Sequence, residues 1–176
     1  VRRAELTFYT NRIGYEKSIL EVLNKIPENH PEKFRLFISY LDYIWTSDLS
    51  KADSIVRAAS QHLRKYYPEH ESKICQLKLA EAMLAISKGK FNESTRVFEN
   101  EAYPLVQGRE EYWAKFLKGE YYRLRSSAYG SIGDFIKRGE SLQNYIKIAK
   151  TLYGSNHHRI SESYRDLANL YLELGR

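Results

Sequence analysis

The stretch Tyr164-Arg-Asp-Leu-Ala-Asn-Leu-Tyr-Leu-Glu-Leu-Gly175 decides the fold. Its bulky residues Tyr164, Leu167 and Tyr171 recur at i, i+3 and i+7, which places them in one stripe along an α-helix. Ala168 lies beside this stripe, where its small side chain would let a second helix approach closely. Gly175 is expected to end the helix, because glycine adopts the left-handed cap conformation at little cost. The stretch therefore predicts an amphipathic helix that packs against another helix and stops at Gly175.

Helical periodicity interrupted by a short turn recurs along the whole chain. Equivalent turns begin at residues 14, 47, 89, 133 and 175, at intervals of 33, 42, 44 and 42 residues. Two helices in each repeat of about 34–44 residues are typical of an α-solenoid. No alternation of polar and apolar residues persists long enough for a strand, so we expect an all-α chain of about nine helices. The predicted helices span Val1–Ile13, Glu16–Ile26, Pro31–Trp45, Leu49–Tyr67, Glu71–Lys88, Phe91–Tyr103, Arg109–Ile132, Phe135–Tyr153 and a last segment from Arg159.

Composition favours a folded, water-soluble chain. Of 176 residues, 43% are hydrophobic and 28% are charged, and the net charge of +6 is spread among interleaved acids and bases. Such a charge gives little support for a nucleic-acid partner. The single cysteine, Cys75, excludes an intramolecular disulfide and is expected to be a buried small hydrophobe. No window approaches about 18 apolar residues, so no membrane span is predicted.

Two features of the chain bear on its origin. No signal peptide is visible, and we therefore expect a cytoplasmic protein. The chain begins at Val1 and ends as a repeat is being completed. We interpret it as a fragment of a longer protein.

The repeats resemble those of the tetratricopeptide repeat family. In that family a bulky aromatic, Leu-Gly and Tyr occupy the first helix, and a Gly-Asp-Tyr-like turn leads to a small residue in the second. The last two repeats match this pattern at Tyr122, Ser126, Tyr129, Gly133, Asp134 and Phe135, and then at Tyr164, Leu167, Ala168, Tyr171 and Gly175. The two repeats before them match it at Leu36, Tyr43, Leu49 and Ala52, and at Ala82, Gly89, Phe91, Ser94 and Phe98. The interval of about 42 residues and the run from Ile148 to Ile160 are similar to the longer subtype found in kinesin light chains and bacterial tetratricopeptide proteins.

The resemblance implies a single domain over residues 1–176 that forms a right-handed superhelix of helix pairs. Its repeats would span about 1–30, 31–69, 70–108, 109–155 and 156–176. Small residues at 82, 126 and 168 would let paired helices close up. The sequence departs from the family pattern where Tyr40 occupies a small-residue position, where Arg125 replaces a Leu, and where Arg138 and Gly139 replace an Ala.

A concave face lined by the first helix of each repeat is the binding surface that the resemblance implies. On this face the last two repeats present Arg123, Ser127, Arg165 and Asn169. Arg165 and Asn169 are four residues apart and therefore neighbours on one helix side. The pair resembles part of the carboxylate clamp with which some family members hold a peptide C-terminus. The alternative is that these are ordinary solvated polar residues.

The same face is apolar in the earlier repeats. It would present Phe34, Phe37, Leu41, Ile44, Trp45, Leu79, Met83 and Ile86. An amphipathic helix or an extended peptide would fit such a surface, and we assign Phe37, Leu41, Trp45 and Met83 to partner binding. The alternative is that this face packs against the protein's own chain.

No pattern in the sequence points to catalysis, a metal or a cofactor. Adjacent His157 and His158 are expected to point apart, and they lack a third ligand at workable spacing. Glu110 and Glu111 are interpreted as a solvated helix surface rather than an acid–base couple. No glycine-rich phosphate loop or nucleophile elbow is present. We therefore expect a protein that is not an enzyme and binds no cofactor.

The function that the resemblance implies is a non-catalytic scaffold that binds a protein or a peptide. One alternative is a ligand- or peptide-sensing domain of a larger signalling protein, such as a transcription regulator, a histidine kinase or a caspase-like peptidase. Another is RNA binding by a basic helical repeat. Self-association is a further expectation, because Leu167, Leu170 and Leu174 on the last helix would be partly bare.

Overall fold

The computed structural model describes residues 12–45 and 47–175, with side chains from residue 14 onward. These residues contain eight α-helices and no strand, which confirms the all-α class. A π-helical turn at Phe98–Ala102 and a 3₁₀ turn at Tyr103–Leu105 follow the helix Phe91–Val97. The helices are α1 Arg12–Lys25, α2 Pro31–Ile44, α3 Leu49–Tyr66, α4 Glu71–Ser87, α5 Phe91–Val97, α6 Tyr112–Ser131, α7 Phe135–Tyr153 and α8 His158–Glu173.

The predicted break at Gly14–Tyr15 is wrong, because α1 continues through both residues. Tyr15 is buried, and its ring centroid lies 5.1 Å from that of Tyr43. This packing outweighs the low helix propensity of Gly14. The interval of 33 residues therefore does not separate two equivalent turns. The predicted first helix, residues 1–13, lies outside the described residues except for its last two.

Side-chain caps begin the second helix of two helix pairs. The Asp48 carboxylate accepts a hydrogen bond from the backbone N–H of Lys51 at 2.9 Å, at the start of α3. The Asp134 carboxylate accepts from the N–H of Lys137 at 3.0 Å, at the start of α7. Each cap satisfies a donor that the helix itself leaves unpaired. Immediately before Asp134, Gly133 takes φ 74°, as predicted for a glycine that ends a helix.

The sixth predicted helix is α-helical for only seven residues, Phe91–Val97. Beyond them the backbone widens, and the N–H of Tyr103 donates to the carbonyl of Phe98 in a π-type bond. Pro104 follows, and it has no N–H with which to continue an α-helix. The wider turn keeps Phe98 and Ala102 buried.

The chain divides into two compact units, Val1–Lys73 and Ile74–Arg176, whereas the sequence predicted a single solenoid domain. We call them the first and the second unit. Within the first unit, α2 packs against α1 and α3. Its buried residues include Tyr15, Ile19, Phe34, Leu36, Tyr40, Ala52, Val56 and Leu63.

The second unit is built largely from α6, α7 and α8, each packed against the next. Gly139 sits where α7 meets α8, and a Cβ at this position would lie 3.2 Å from Leu170 Cδ2. A side chain here would hold the two helices apart, which explains the departure from Ala. The core between these helices contains Leu142, Tyr145, Ile146, Ala149, Ile160, Leu167 and Leu170.

The buried stripe of α8 differs from the predicted one. Ile160, Ser163, Leu167 and Leu170 are buried, whereas Tyr164 and Tyr171 are exposed. Ala168 is also exposed, because no described helix packs on its side of α8, so its predicted role at a close helix crossing is wrong. Leu167 and Leu170 are covered, and the bare apolar side chains are Leu172, Leu174 and the two tyrosines.

Candidate binding pocket of the second unit

A pocket of about 320 Å³ lies between α6, α7 and α8. Its volume is at the lower end of the range for small-ligand sites. Helix α6 contributes most of the lining residues. Helix α7 contributes Arg138 and Leu142, and α8 contributes the Asp166 carboxylate. The lining residues are Ser126, Ser127, Gly130, Ser131, Arg138, Leu142 and Asp166.

Gly130 and Arg138 form a matched pair in this pocket. A Cβ at Gly130 would lie 3.3 Å from Arg138 Cδ, so the glycine provides the space that the arginine side chain occupies. The Arg138 guanidinium donates to the Glu173 carboxylate at 3.3 Å. The departure at Arg138 thus places a positive charge in the pocket wall.

The serine hydroxyls act mainly as acceptors towards the pocket. Ser126 Oγ donates to the carbonyl of Arg123 at 2.8 Å, and Ser131 Oγ donates to the carbonyl of Ser127 at 3.0 Å. These bonds use the hydroxyl protons and leave oxygen lone pairs available. The Asp166 carboxylate forms no ion pair within the part of the chain that the structure describes. The pocket therefore offers several acceptors and one guanidinium donor.

A buried polar network fixes α6 beside the pocket. Arg125 donates from Nε to the Glu99 carboxylate at 2.7 Å and from an η nitrogen to Ser141 Oγ at 2.8 Å. The Tyr121 hydroxyl donates to the other Glu99 oxygen at 2.9 Å. Burial raises the pKa of Tyr121 above its usual value, so its hydroxyl keeps the proton that it donates. Arg125 thus joins the π-helical turn, α6 and α7.

Of the four predicted polar residues, Ser127 lines the pocket. Arg123 lies one turn earlier on α6 and forms an ion pair with Glu120 at 2.7 Å. Glu120 also accepts from Arg159 at 3.2 Å, so it is shared by two guanidinium groups. Arg123 is therefore paired within the protein, and it does not line the pocket.

Arg165 and Asn169 are exposed on α8 and do not line the pocket. Their neighbour Asp166 does, and the sequence analysis missed it. The signal was available, because Asp166 precedes Asn169 by three residues and so shares a helix side with it. In the sequence, Arg138 stands out only as a departure from the tetratricopeptide repeat pattern.

The predicted apolar surface is largely buried. Leu41 and Met83 are core residues, as are Phe34, Ile44 and Leu79. Phe37 is half-buried and packs edge-on against the ring of His62, with centroids 5.9 Å apart. Trp45 is half-buried at the end of α2. Burial leaves little of this set for a partner and favours the alternative in which the face packs against the protein's own chain.

The remaining sites that the sequence singled out form no metal cluster. Within residues 12–45 and 47–175, no group of three or more His, Cys, Asp or Glu residues could hold a metal ion. His157 and His158 do not point apart as expected, because their ring centroids are 4.3 Å apart. Cys75 is buried, as predicted, and burial raises the pKa of its thiol to about 12. No described helix is long and apolar enough to cross a membrane.

Comparisons with family models, curated proteins and solved structures find no match to this chain. The resemblance to tetratricopeptide repeats therefore rests on the residues quoted above and on the helix pairs. The borders expected near residues 30, 69, 108 and 155 lie in connections between helices.

Proposed function

We propose that this chain is a tetratricopeptide-like, non-catalytic domain that binds a peptide segment of a partner protein at the pocket between α6, α7 and α8. The observation that carries the proposal is the pocket itself. It unites Ser127, which was predicted on the binding face, with a guanidinium and an unpaired carboxylate from the two following helices.

The lining suits a peptide because a peptide presents both donors and acceptors. Main-chain N–H groups would find the lone pairs of Ser126 and Ser131 and the carboxylate of Asp166. A carbonyl or a carboxylate of the ligand would find the Arg138 guanidinium, which Glu173 holds by one hydrogen bond at 3.3 Å. Two of the three hydroxyls donate to the main chain one turn back, so no base activates them as nucleophiles. These features support recognition rather than catalysis.

The test is affinity selection of a random peptide library on the purified protein, followed by fluorescence polarisation with an enriched peptide. Ser127→Tyr would fill the pocket from α6, and Asp166→Asn would remove its unpaired charge. We expect each to weaken binding about tenfold or more, which corresponds to roughly 1.4 kcal/mol. Helical circular dichroism should not change, because Ser127 is exposed and Asp166 has no ion pair among the described residues.

Ser161→Tyr is the matched control, since Ser161 is exposed on α8 and does not line the pocket. It should bind the peptide as the unmodified protein does. Failure to enrich any peptide, or equal binding by the Ser127→Tyr and Ser161→Tyr variants, would overturn the proposal.

A further inference from the structure

Three of the five histidines of the protein lie around one tyrosine in the first unit. The ring centroid of Tyr67 is 5.7 Å from that of His62 and 6.4 Å from that of His70. The Tyr67 hydroxyl donates to the carbonyl of Asn29 at 2.7 Å, next to His30 in the chain. We call His30, His62 and His70 the histidine cluster.

His62 is the most constrained member of the cluster. It is 5% exposed, and neither Nδ1 nor Nε2 has a hydrogen-bond partner in the part of the chain that the structure describes. The rings of Phe37 and Tyr66 lie 5.9 and 5.1 Å away, so aromatic carbon replaces water around the imidazole. A protonated imidazole would have two unsatisfied donors here, which is costly in a buried site. The packing therefore favours the neutral ring.

The other two members each have a ring nitrogen close to the start of a helix. His30 Nδ1 accepts a hydrogen bond from the N–H of Glu32 at 3.2 Å and caps α2. His70 Nδ1 lies 3.1 Å from Ser72 Oγ at the start of α4.

The charges that face His62 add to this effect. Lys33, Lys73 and Glu28 are the charged groups that act on His62, and Glu28 is itself paired with Lys33. The Lys73 ammonium lies 5.0 and 5.2 Å above the rings of Tyr67 and Phe34, so these faces already hold a cation. Burial lowers the pKa of His62; Glu28 opposes this shift, and both lysines reinforce it.

We propose that buried His62 makes the first unit acid-sensitive, so that its packing loosens at mildly acidic pH while the second unit stays folded. The two histidines of the second unit, His157 and His158, are not buried. An unfolded histidine binds its proton near pH 6.5, and folded His62 binds it only at lower pH. Its stabilising contribution is therefore present above about pH 6.5 and is lost as the pH falls below that value.

The direct test is a pH titration of the histidine ring resonances by NMR. His62 is assigned from the resonance that disappears in His62→Phe, a variant that keeps an aromatic ring among Phe37, Tyr66 and Tyr67. In the native protein His62 should titrate at clearly lower pH than in the same protein unfolded in urea. Equal midpoints in the two samples would overturn the proposal.

The second test measures stability by urea unfolding at pH 7.5 and 5.5. The protein has two tryptophans, and Trp113→Phe leaves Trp45 as the reporter of the first unit. Each proton bound only by the unfolded chain lowers the folded-to-unfolded ratio by up to about tenfold per pH unit. We expect a loss of this kind in the Trp113→Phe protein and a clearly smaller one after adding His62→Phe.

Trp45→Phe, which leaves Trp113 to report on the second unit, is the control and should show little change between the two pH values. An equal loss in both reporters, or an equal loss with and without His62, would contradict the proposal. If His62→Phe does not fold, the NMR titration of the native protein decides, with His62 then assigned from its contacts to the Phe37 ring.

Discussion

Arg125 shows how single residues of this protein are matched to distant partners. Its side chain is 16% exposed, and it contacts Glu99, Ser141 and the face of the Tyr129 ring. A guanidinium that is largely removed from water must find acceptors, because an unpaired buried charge costs several kcal/mol. Glu99 supplies one oxygen to Arg125 and the other to Tyr121.

Removal of Glu99 alone should therefore be costly. We expect Glu99→Ala to lower the free energy of unfolding by about 1–3 kcal/mol, because two buried donors lose their acceptor. Adding Arg125→Leu, the residue type of the family pattern, should recover part of that loss, since the unpaired charge disappears. Urea unfolding followed by Trp113 fluorescence measures both values. A double variant that is less stable than Glu99→Ala would contradict this account.

Other departures from the family pattern have the same explanation at the residue scale. Gly130 leaves space for Arg138, and Gly139 lets Leu170 approach. Tyr40, at a position where the pattern has a small residue, donates its hydroxyl to Glu16 at 2.7 Å. The sequence marks each of these positions as unusual. The sequence does not identify the residue that each of them contacts, because those residues lie up to 31 positions away along the chain.

At the scale of whole elements, the ends of the helices follow local chemistry. Asp48, Asp134 and Pro31 stand where a cap or a first-turn proline is expected, and the helices begin there. The turn that follows α5 does not obey local chemistry in the same way. Residues Phe98–Ala102 form a π-helical turn, and Phe98 and Ala102 are buried against neighbouring helices.

The cap of α7 gives a prediction at this scale. Asp134→Ala should lower the free energy of unfolding of the second unit by about 0.5–2 kcal/mol, because the N–H of Lys137 loses its acceptor. Asp134→Asn is the matched control, since the amide oxygen still accepts that bond. Urea unfolding with Trp113 as the reporter gives both values. Asp134→Asn should lose little, because the exposed ion pair with Lys137 contributes little. Equal losses in the two variants would contradict the role given to the cap hydrogen bond.

At the scale of the molecule, the chain has two compact units, residues 1–73 and 74–176. Repeat proteins are held together by contacts between neighbouring elements, so parts of them can unfold separately. We expect the first and the second unit to unfold with different urea midpoints at pH 7.5. Trp113→Phe and Trp45→Phe report the two units individually. Coincident transitions in these variants would contradict the expectation and indicate one cooperative block.

The sequence by itself determined the helical class, the positions of the turns after α2, α4 and α6, and the burial of Cys75. These properties depend on the 3.6-residue period and on capping chemistry, which act over one or two turns of chain. The separation into two units, the path of α1 through Gly14, the buried state of Leu41 and the pocket were decided only by the tertiary structure. Ser127 and Asp166, like His62 and Phe37, lie on different helices. Their juxtaposition follows from how whole helices pack, which no local pattern records.

The closing stretch at Tyr164–Gly175 illustrates the same division. Its periodicity correctly predicted a helix that ends before Gly175, where φ is 67°. It did not predict which stripe is covered, because Leu170 is buried beside Gly139 of α7, whereas the Tyr171 ring stays exposed. A helix carries several apolar side chains, and the position of the neighbouring helix determines which of them are buried.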